Sequence, residues 1–297
     1  MFFQLCYRLF CFLTNNIRLI FKLYMRRMTG KSELQRILDK SQPGARTTRK
    51  FENSLRRSRN KNLRSLISHD SDIGSSVITV LHAKHLPNEL CAELTLRMSQ
   101  IIGYNHLINT VEVIRRQQHT DKLSDYESYL YQIWNILQPD VHLTGLKSKQ
   151  WVDIGFQGNQ PCTDLRGMGM LGLTQLWYFV VNYPNEARQV YSHSLHPGCG
   201  YPFAIVGISL TSMLTQLLKS GQLRLHFYNV CRAAPCLTHF HEAYCFMFYQ
   251  FDDHWLCDQP HDIMEFNRVS EDYLKKLSTK LKDYNHVMKM DFQRTVP

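Results

Sequence analysis

Apolar residues recur at steps of three and four along most of the chain, and that spacing predicts helices. Leu90, Leu94, Met98, Ile101 and Ile102 mark one such face, and Leu123, Tyr126, Leu130, Trp134 and Leu137 mark another. Val206, Leu210, Met213, Leu214, Leu217 and Leu218 form a third, closed by Ser220-Gly221 as a stop signal. Phe266, Tyr273, Leu277, Leu281 and Tyr284 keep one side near the end. A helix turns once in about 3.6 residues, so each set gives one face that can enter a core. Leu223 to Val230 (LRLHFYNV) departs from this: it alternates with a period of two and permits a strand, but no partner strand is evident. The expected body is therefore all-α and multi-helical, without internal repeats or low-complexity tracts.

Residues 1–27 carry a different pattern. Gln4, Arg8, Asn15, Arg18, Lys22 and Arg26 fall on one narrow helical stripe, and nearly everything else there is aromatic or aliphatic. The charges interrupt the apolar run too often for a membrane-spanning helix, and the run ends in Met25-Arg26-Arg27 where a signal peptide would have small residues. Two readings fit: an amphipathic helix lying in a membrane surface, with Arg8, Arg18, Lys22 and Arg26 at the level of the phosphates, or a helix packed on the body with one solvated edge. Ser68 to Val80, polar and containing Gly and Ser, is the best candidate for a break before the main body. The expected organisation is a basic amphipathic helix at 1–27, a basic helical region at 28–67 and one large domain at 81–290.

Charge sharpens that division. The net charge is +10, yet residues 1–64 hold 16 Lys and Arg against three acids, while the remaining 233 residues hold 19 against 22. The body lacks the basic face that phosphate-backbone binding needs, so no nucleic-acid partner is expected. The run from Arg46 to Arg64 reads as a solvated helix face or tail that would strengthen attraction to anionic lipid or to an acidic protein. Thr29-Gly30-Lys31-Ser32 imitates the end of a phosphate-binding loop, but Met25 stands where its first glycine belongs. The nine cysteines are odd in number and contain no C-x-x-C pair, which suits a reduced, cytoplasmic protein.

Residues 151–173, WVDIGFQGNQPCTDLRGMGMLGL, differ from everything around them. Four glycines lie between positions 158 and 172, with Pro161 and Thr163-Asp164 among them, and an apolar helical run from Leu171 to Val181 follows. That is a shaped loop leading into a helix. Gly167, Gly169 and Gly172 satisfy G-x-G-x-x-G, but no buried strand precedes them, so a dinucleotide site is excluded. From spacing alone, Arg166 reads more readily as an internal partner of Asp164 than as a functional group. Trp151 and Phe156 read as core anchors.

At these positions the chain resembles the ELMO-domain family, whose signature has the form W-x3-G-F-Q-x3-P-x-T-D-x-R-G-x-G. Trp151, Gly155, Phe156, Gln157, Pro161, Thr163, Asp164, Arg166, Gly167 and Gly169 fill all ten fixed places. Met28 to Asp39, His196 to Thr211 and His239 to Asp252 extend the likeness, which is to the short members and not to the long engulfment-and-motility scaffolds. One departure is Asn159-Gln160, where family members often carry an acid before the motif proline. The resemblance implies an activator of GTP hydrolysis by Arf-family or Arf-like small GTPases. Arg166 would be supplied in trans, and the other motif residues would shape the loop. A guanidinium suits that task because its planar fork donates several hydrogen bonds and keeps its charge. The resemblance thus implies no enzyme active site and no cofactor of its own, GTP and Mg being bound by the partner GTPase. The alternative it leaves open is a non-catalytic adaptor for small GTPases or exchange factors. Residues 1–27 add an anionic membrane surface as a partner and a peripheral place on an intracellular membrane.

Other constellations are weaker. Cys236, His239, His241, Cys245, His254 and Cys257 crowd together, but their spacing matches no zinc pattern and they read as core side chains. No metal site is expected. No G-x-S-x-G or carboxylate pair points to a hydrolase.

Overall fold

A computed structural model describes residues 17, 20–67, 71–165 and 167–290, with the side chain of Asp121 left aside. The chain is all-α, 72% helical, with no strand among the described residues. It divides into two compact units, Met1–Ile102 and Gly103–Pro297.

In the first unit, residues 20–29 form α1, followed by α2 (Glu33–Asp39), α3 (Ala45–Arg56), α4 (Lys61–Ser65) and α5 (Ile73–Lys84). The sequence Thr29-Gly30-Lys31-Ser32 is a helix junction. Gly30 takes φ +67°, and the Ser32 hydroxyl accepts from the Gln35 N–H as the N-cap of α2. Leu34, Leu38, Phe51 and Leu55 are buried, which locks α2 against α3. The polar stretch read as a break is in part helical. Asp72 caps α5 by accepting from the Ser75 N–H at 2.8 Å, and Val77 and Val80 enter the core. α6 (Cys91–Arg116) carries the division between the two units.

α1 leaves its apolar side chains outside. Ile20, Phe21, Leu23, Tyr24 and Met28 are 58 to 67% exposed. Of the four basic stripe residues, Arg8 and Arg18 lie outside the described residues, Lys22 pairs with Glu33, and Arg26 is exposed. No single helix among the described residues is long and apolar enough to cross a membrane.

The second unit is organised around α8 (Gly169–Asn182). Leu171, Leu173, Leu176, Phe179 and Val180 are fully buried, and α7 (Leu123–Leu137), α9 (Pro184–Ser194), α10 (Phe203–Lys219) and α12 (Leu237–Asp258) pack around it. α12 presents Phe240, Ala243, Tyr244, Met247, Phe248, Phe251 and Trp255 along one helical stripe, all fully buried. Phe248 stacks on Phe203 with ring centroids 5.0 Å apart, which fastens α12 to α10. α13 (Phe266–Lys280) closes the unit through Val269, Tyr273 and Leu277.

Leu223 to Val230 is not a strand. Arg224–Val230 forms the short helix α11, with Leu223 and Phe227 buried one turn apart and the Phe227 N–H donating to the Leu223 carbonyl at 3.0 Å. An isolated strand would leave its backbone groups unpaired, whereas a helix pairs them within the segment. Tyr104 meets Phe227 and Tyr228 edge-on and supplies the packing that decides the outcome.

Candidate functional site

The glycine-rich loop is braced from its first residue. Trp151 is fully buried, meets Trp134 and Phe156 edge-on at 5.5 and 5.9 Å, and donates its indole N–H to the Leu146 carbonyl at 3.0 Å. The short 3-10 helix Lys149–Ile154 that carries it starts at Ser148, whose hydroxyl accepts from the Gln150 N–H. It stops at Gly155, which takes φ +86°. A Cβ on Gly155 would lie 2.3 Å from the Phe203 nitrogen and 2.6 Å from the Pro202 carbonyl carbon, so the motif's first glycine is demanded by the start of α10. Phe156, 2% exposed, then turns inward, and the chain emerges at Gln157.

From Gln157 onward the loop bonds to itself. The Gln157 N–H donates to Asp164 Oδ2 at 2.8 Å, bridging seven residues, and the Ser148 N–H donates to the Asn159 carbonyl at 3.1 Å. Pro161, buried, opens a 3-10 turn, and the exposed Thr163 donates its hydroxyl to the Gln160 carbonyl at 2.8 Å. Leu165 is buried behind the turn. Tyr126 of α7 lies on the same side. Burial, and then the adjacent Cys162 and Asp164, push its phenol above the ordinary range.

The far end of the loop is held by α6. Arg115 donates through Nη1 to the Gly167 carbonyl at 2.9 Å, and its other nitrogens bond Glu112. Hydrogen bonds from Arg115, Lys219 and Arg116 hold the Glu112 carboxyl far below the usual carboxylate range. Gly169 takes φ +50°, and a Cβ there would lie 2.4 Å from the Arg115 carbonyl oxygen and 2.5 Å from that of Gln117. The Met170 N–H donates to the same Gln117 carbonyl at 3.0 Å, so α8 starts against the end of α6. Gly167 differs: it is exposed, and a Cβ on it would meet nothing within 4 Å.

Arg166, between these fixed points, lies outside the described residues. The structure brings the other nine signature residues into one feature, with Trp151, Phe156 and Pro161 as its buried base and Gln157, Thr163 and Gly167 on its exposed rim. Sequence reasoning missed Glu112, Arg115 and Gln117. The spacing of Glu112 to Arg115 and Arg116, three and four residues apart, marks a helical ion-pair cluster, but nothing local says that it grips a loop 52 residues away.

The Cys/His group behaves differently from a uniform core. His241 and Cys245 are buried, but Cys236 is exposed at the N-cap of α12, where the His239 ring accepts from its N–H at 3.2 Å. His254 faces Asp272 at 3.4 Å, and Cys257 is exposed. Among the described residues no three such side chains are grouped to hold a metal ion.

An all-helical domain with one glycine-framed loop, braced from beneath by tryptophan and from the side by an arginine, is the class of protein this geometry defines. The ELMO/CED-12 family model matches residues 109–270. ELMO domain-containing protein 2 of Mus musculus is 42% identical over 272 residues, covering 90% of this chain and 92% of the relative. ELMO domain-containing protein 1 of Bos taurus is 39% identical over 88% of this chain and 87% of the relative. ELMO domain-containing protein B of Dictyostelium discoideum is 29% identical over 87% and 93%. No solved structure matches. The chain belongs to the ELMO/CED-12 family.

Proposed function

We propose that this protein accelerates GTP hydrolysis by an Arf-family or Arf-like small GTPase, with Arg166 supplied in trans as an arginine finger. The observation that carries the reading is the bracing of the loop on both sides of position 166. Asp164 ties back to Gln157 on one side, and the Gly167 carbonyl is held by Arg115 on the other. Catalysis of phosphoryl transfer is mostly positioning and charge neutralisation, so a finger needs a base that does not move when it meets a charged target. The open space around Gly167 suits close approach by another protein's backbone. GTP and Mg belong to the partner, and the chain brings no active site or cofactor of its own.

The proposal includes the division into 1–27, 28–67 and 81–290, with the last as the ELMO domain, and a cytoplasmic location peripheral to a membrane. The exposed apolar residues of α1 support the membrane part. The experiment is a single-turnover hydrolysis assay on a panel of GTP-loaded Arf-family proteins, comparing the wild type with Arg166→Lys. Stimulation lost in the variant with binding retained is the expected result. Binding without stimulation by the wild type would make the protein an adaptor. Vesicle binding undiminished by deletion of residues 1–27 would remove the membrane part.

A further inference from the structure

The first unit holds a concentration of unbalanced charge. Several cations of that unit meet carboxylates: Lys31 with Asp39, Arg49 and Arg56 with the buried Glu52, and Arg97 with Glu93. Arg36, Lys40, Lys50 and Arg57 do not. They converge from α2, α3 and the residues that cap the C-termini of both helices on one cavity of about 380 Å³, and among the described residues none of the four is paired with a carboxylate. The cavity's one acid, Glu33, is already engaged by Lys22 and by the Ser54 hydroxyl. Arg36 is held in place through Nη1 by the Thr29 hydroxyl at 3.3 Å and the Lys31 carbonyl at 3.1 Å, which orients its guanidinium without neutralising it.

Four like charges facing one hollow repel each other, and the repulsion is relieved when an anion enters. Guanidinium and ammonium groups that surround a space from several directions fit clustered phosphates better than one carboxylate, because each phosphate offers several acceptor oxygens. The volume exceeds what a single phosphate fills and is within the range of small-molecule sites, about 300 to 1,000 Å³. We propose that this cavity binds a multiply phosphorylated headgroup of the inositol phosphate kind. Glu33, on the cavity wall, is also the residue that ties down Lys22 of α1, so the exposed Phe21, Leu23 and Tyr24 stand on a helix fastened to the same wall. A lipid-borne headgroup would be met by both features, a free one by the cavity alone. The inference does not rest on the GTPase reading.

The test uses the full chain. Binding of soluble inositol 1,4,5-trisphosphate is measured by calorimetry. Binding to phosphatidylcholine vesicles containing phosphatidylinositol 4,5-bisphosphate is compared with vesicles of equal surface charge made with phosphatidylserine. Lys50→Ala/Arg57→Ala removes two cavity cations, and Arg59→Ala/Lys61→Ala removes the same charge from exposed positions outside it. The expected result is saturable binding that the first pair weakens by about 10-fold or more and the second pair by less than about 2-fold. Preference for the phosphoinositide vesicles identifies a lipid ligand, and binding of the soluble headgroup without that preference identifies a free one. No saturable binding, or equal loss in both pairs, would overturn the proposal and reduce the cavity to diffuse electrostatic attraction. GTP hydrolysis by a partner, measured without vesicles or inositol phosphate, stays unchanged in Lys50→Ala/Arg57→Ala.

Discussion

Arg115 donates to the carbonyl of Gly167 at 2.9 Å, so the last turn of α6 grips the residue that follows position 166. Under the proposed mechanism Arg115 is a positioning residue. Arg115→Ala leaves the Gly167 carbonyl free to turn, and a misplacement of about 1 Å is enough to cost on the order of 100-fold in rate. The expected outcome is a fall in the maximal stimulated hydrolysis rate with little change in the GTPase concentration that gives half of it. A purely stabilising role would instead move the melting temperature and leave that split absent.

Arg166→Lys keeps the charge but loses the planar fork. Arginine fingers contribute about 10³ to 10⁵ in rate, so most of the stimulation should vanish. Near-normal stimulation by the variant in the single-turnover assay would sink the finger role.

The three motif glycines separate by physical role. Gly155→Ala and Gly169→Ala each force a side chain into a left-handed conformation and within 2.3 to 2.4 Å of fixed backbone. The conformation alone costs about 1 to 2 kcal/mol, and the clash adds to it. Both variants are expected to unfold at clearly lower denaturant. Gly167→Ala has open space and no left-handed angle, so its stability should stay within about 0.5 kcal/mol of wild type. Stimulation of the partner should still fall, because the added methyl stands on the exposed rim. Equal loss of stability in all three would refute the distinction.

Acid should weaken the fold from pH 6.5 downward. His226 is pushed down to about 3, by burial first and then by the neighbouring His286, His239 and Lys289, and burial pushes His241 down to about 4. The His226 ring also accepts from the Met288 N–H at 3.1 Å, which only an unprotonated nitrogen can do. Both rings stay neutral in the fold, while in the unfolded chain they take up protons below about 6.5. Their stability contribution is whole above that value and is lost as pH falls toward the folded values. The two together should remove about 3 kcal/mol between pH 7.5 and 5.5. Urea melts at the two pH values measure this, and His241→Leu should remove about half of the difference. A flat profile would show that these rings are hydrated.

How much of this was legible beforehand follows the range of each interaction. The faces at Leu123 to Leu137 and Val206 to Leu218 read directly as helices, because a helix repeats every few residues and its buried stripe is printed in the order of side chains. Leu223 to Val230 did not, because eight residues hold little more than two turns, too few to separate a period of two from one of 3.6. Its helix was decided by Tyr104, more than a hundred positions away in the chain. The Ser68 to Val80 break was narrowed by a single cap at Asp72.

The loop divides in the same way. By itself the sequence determined that residues 151–169 form a shaped turn, that Trp151 and Phe156 anchor it, and which family it belongs to, since ten fixed residues at fixed spacing survive as a linear pattern. Only the tertiary structure decided why those residues are needed. Gly155 is glycine because the start of α10 lies against it, Gly169 because the carbonyls of Arg115 and Gln117 do, and Gly167 for neither reason. The cavity of Arg36, Lys40, Lys50 and Arg57 was likewise invisible in a run of basic residues. A linear string shows how many charges there are, but the fold decides which of them find a carboxylate and which are left facing one another.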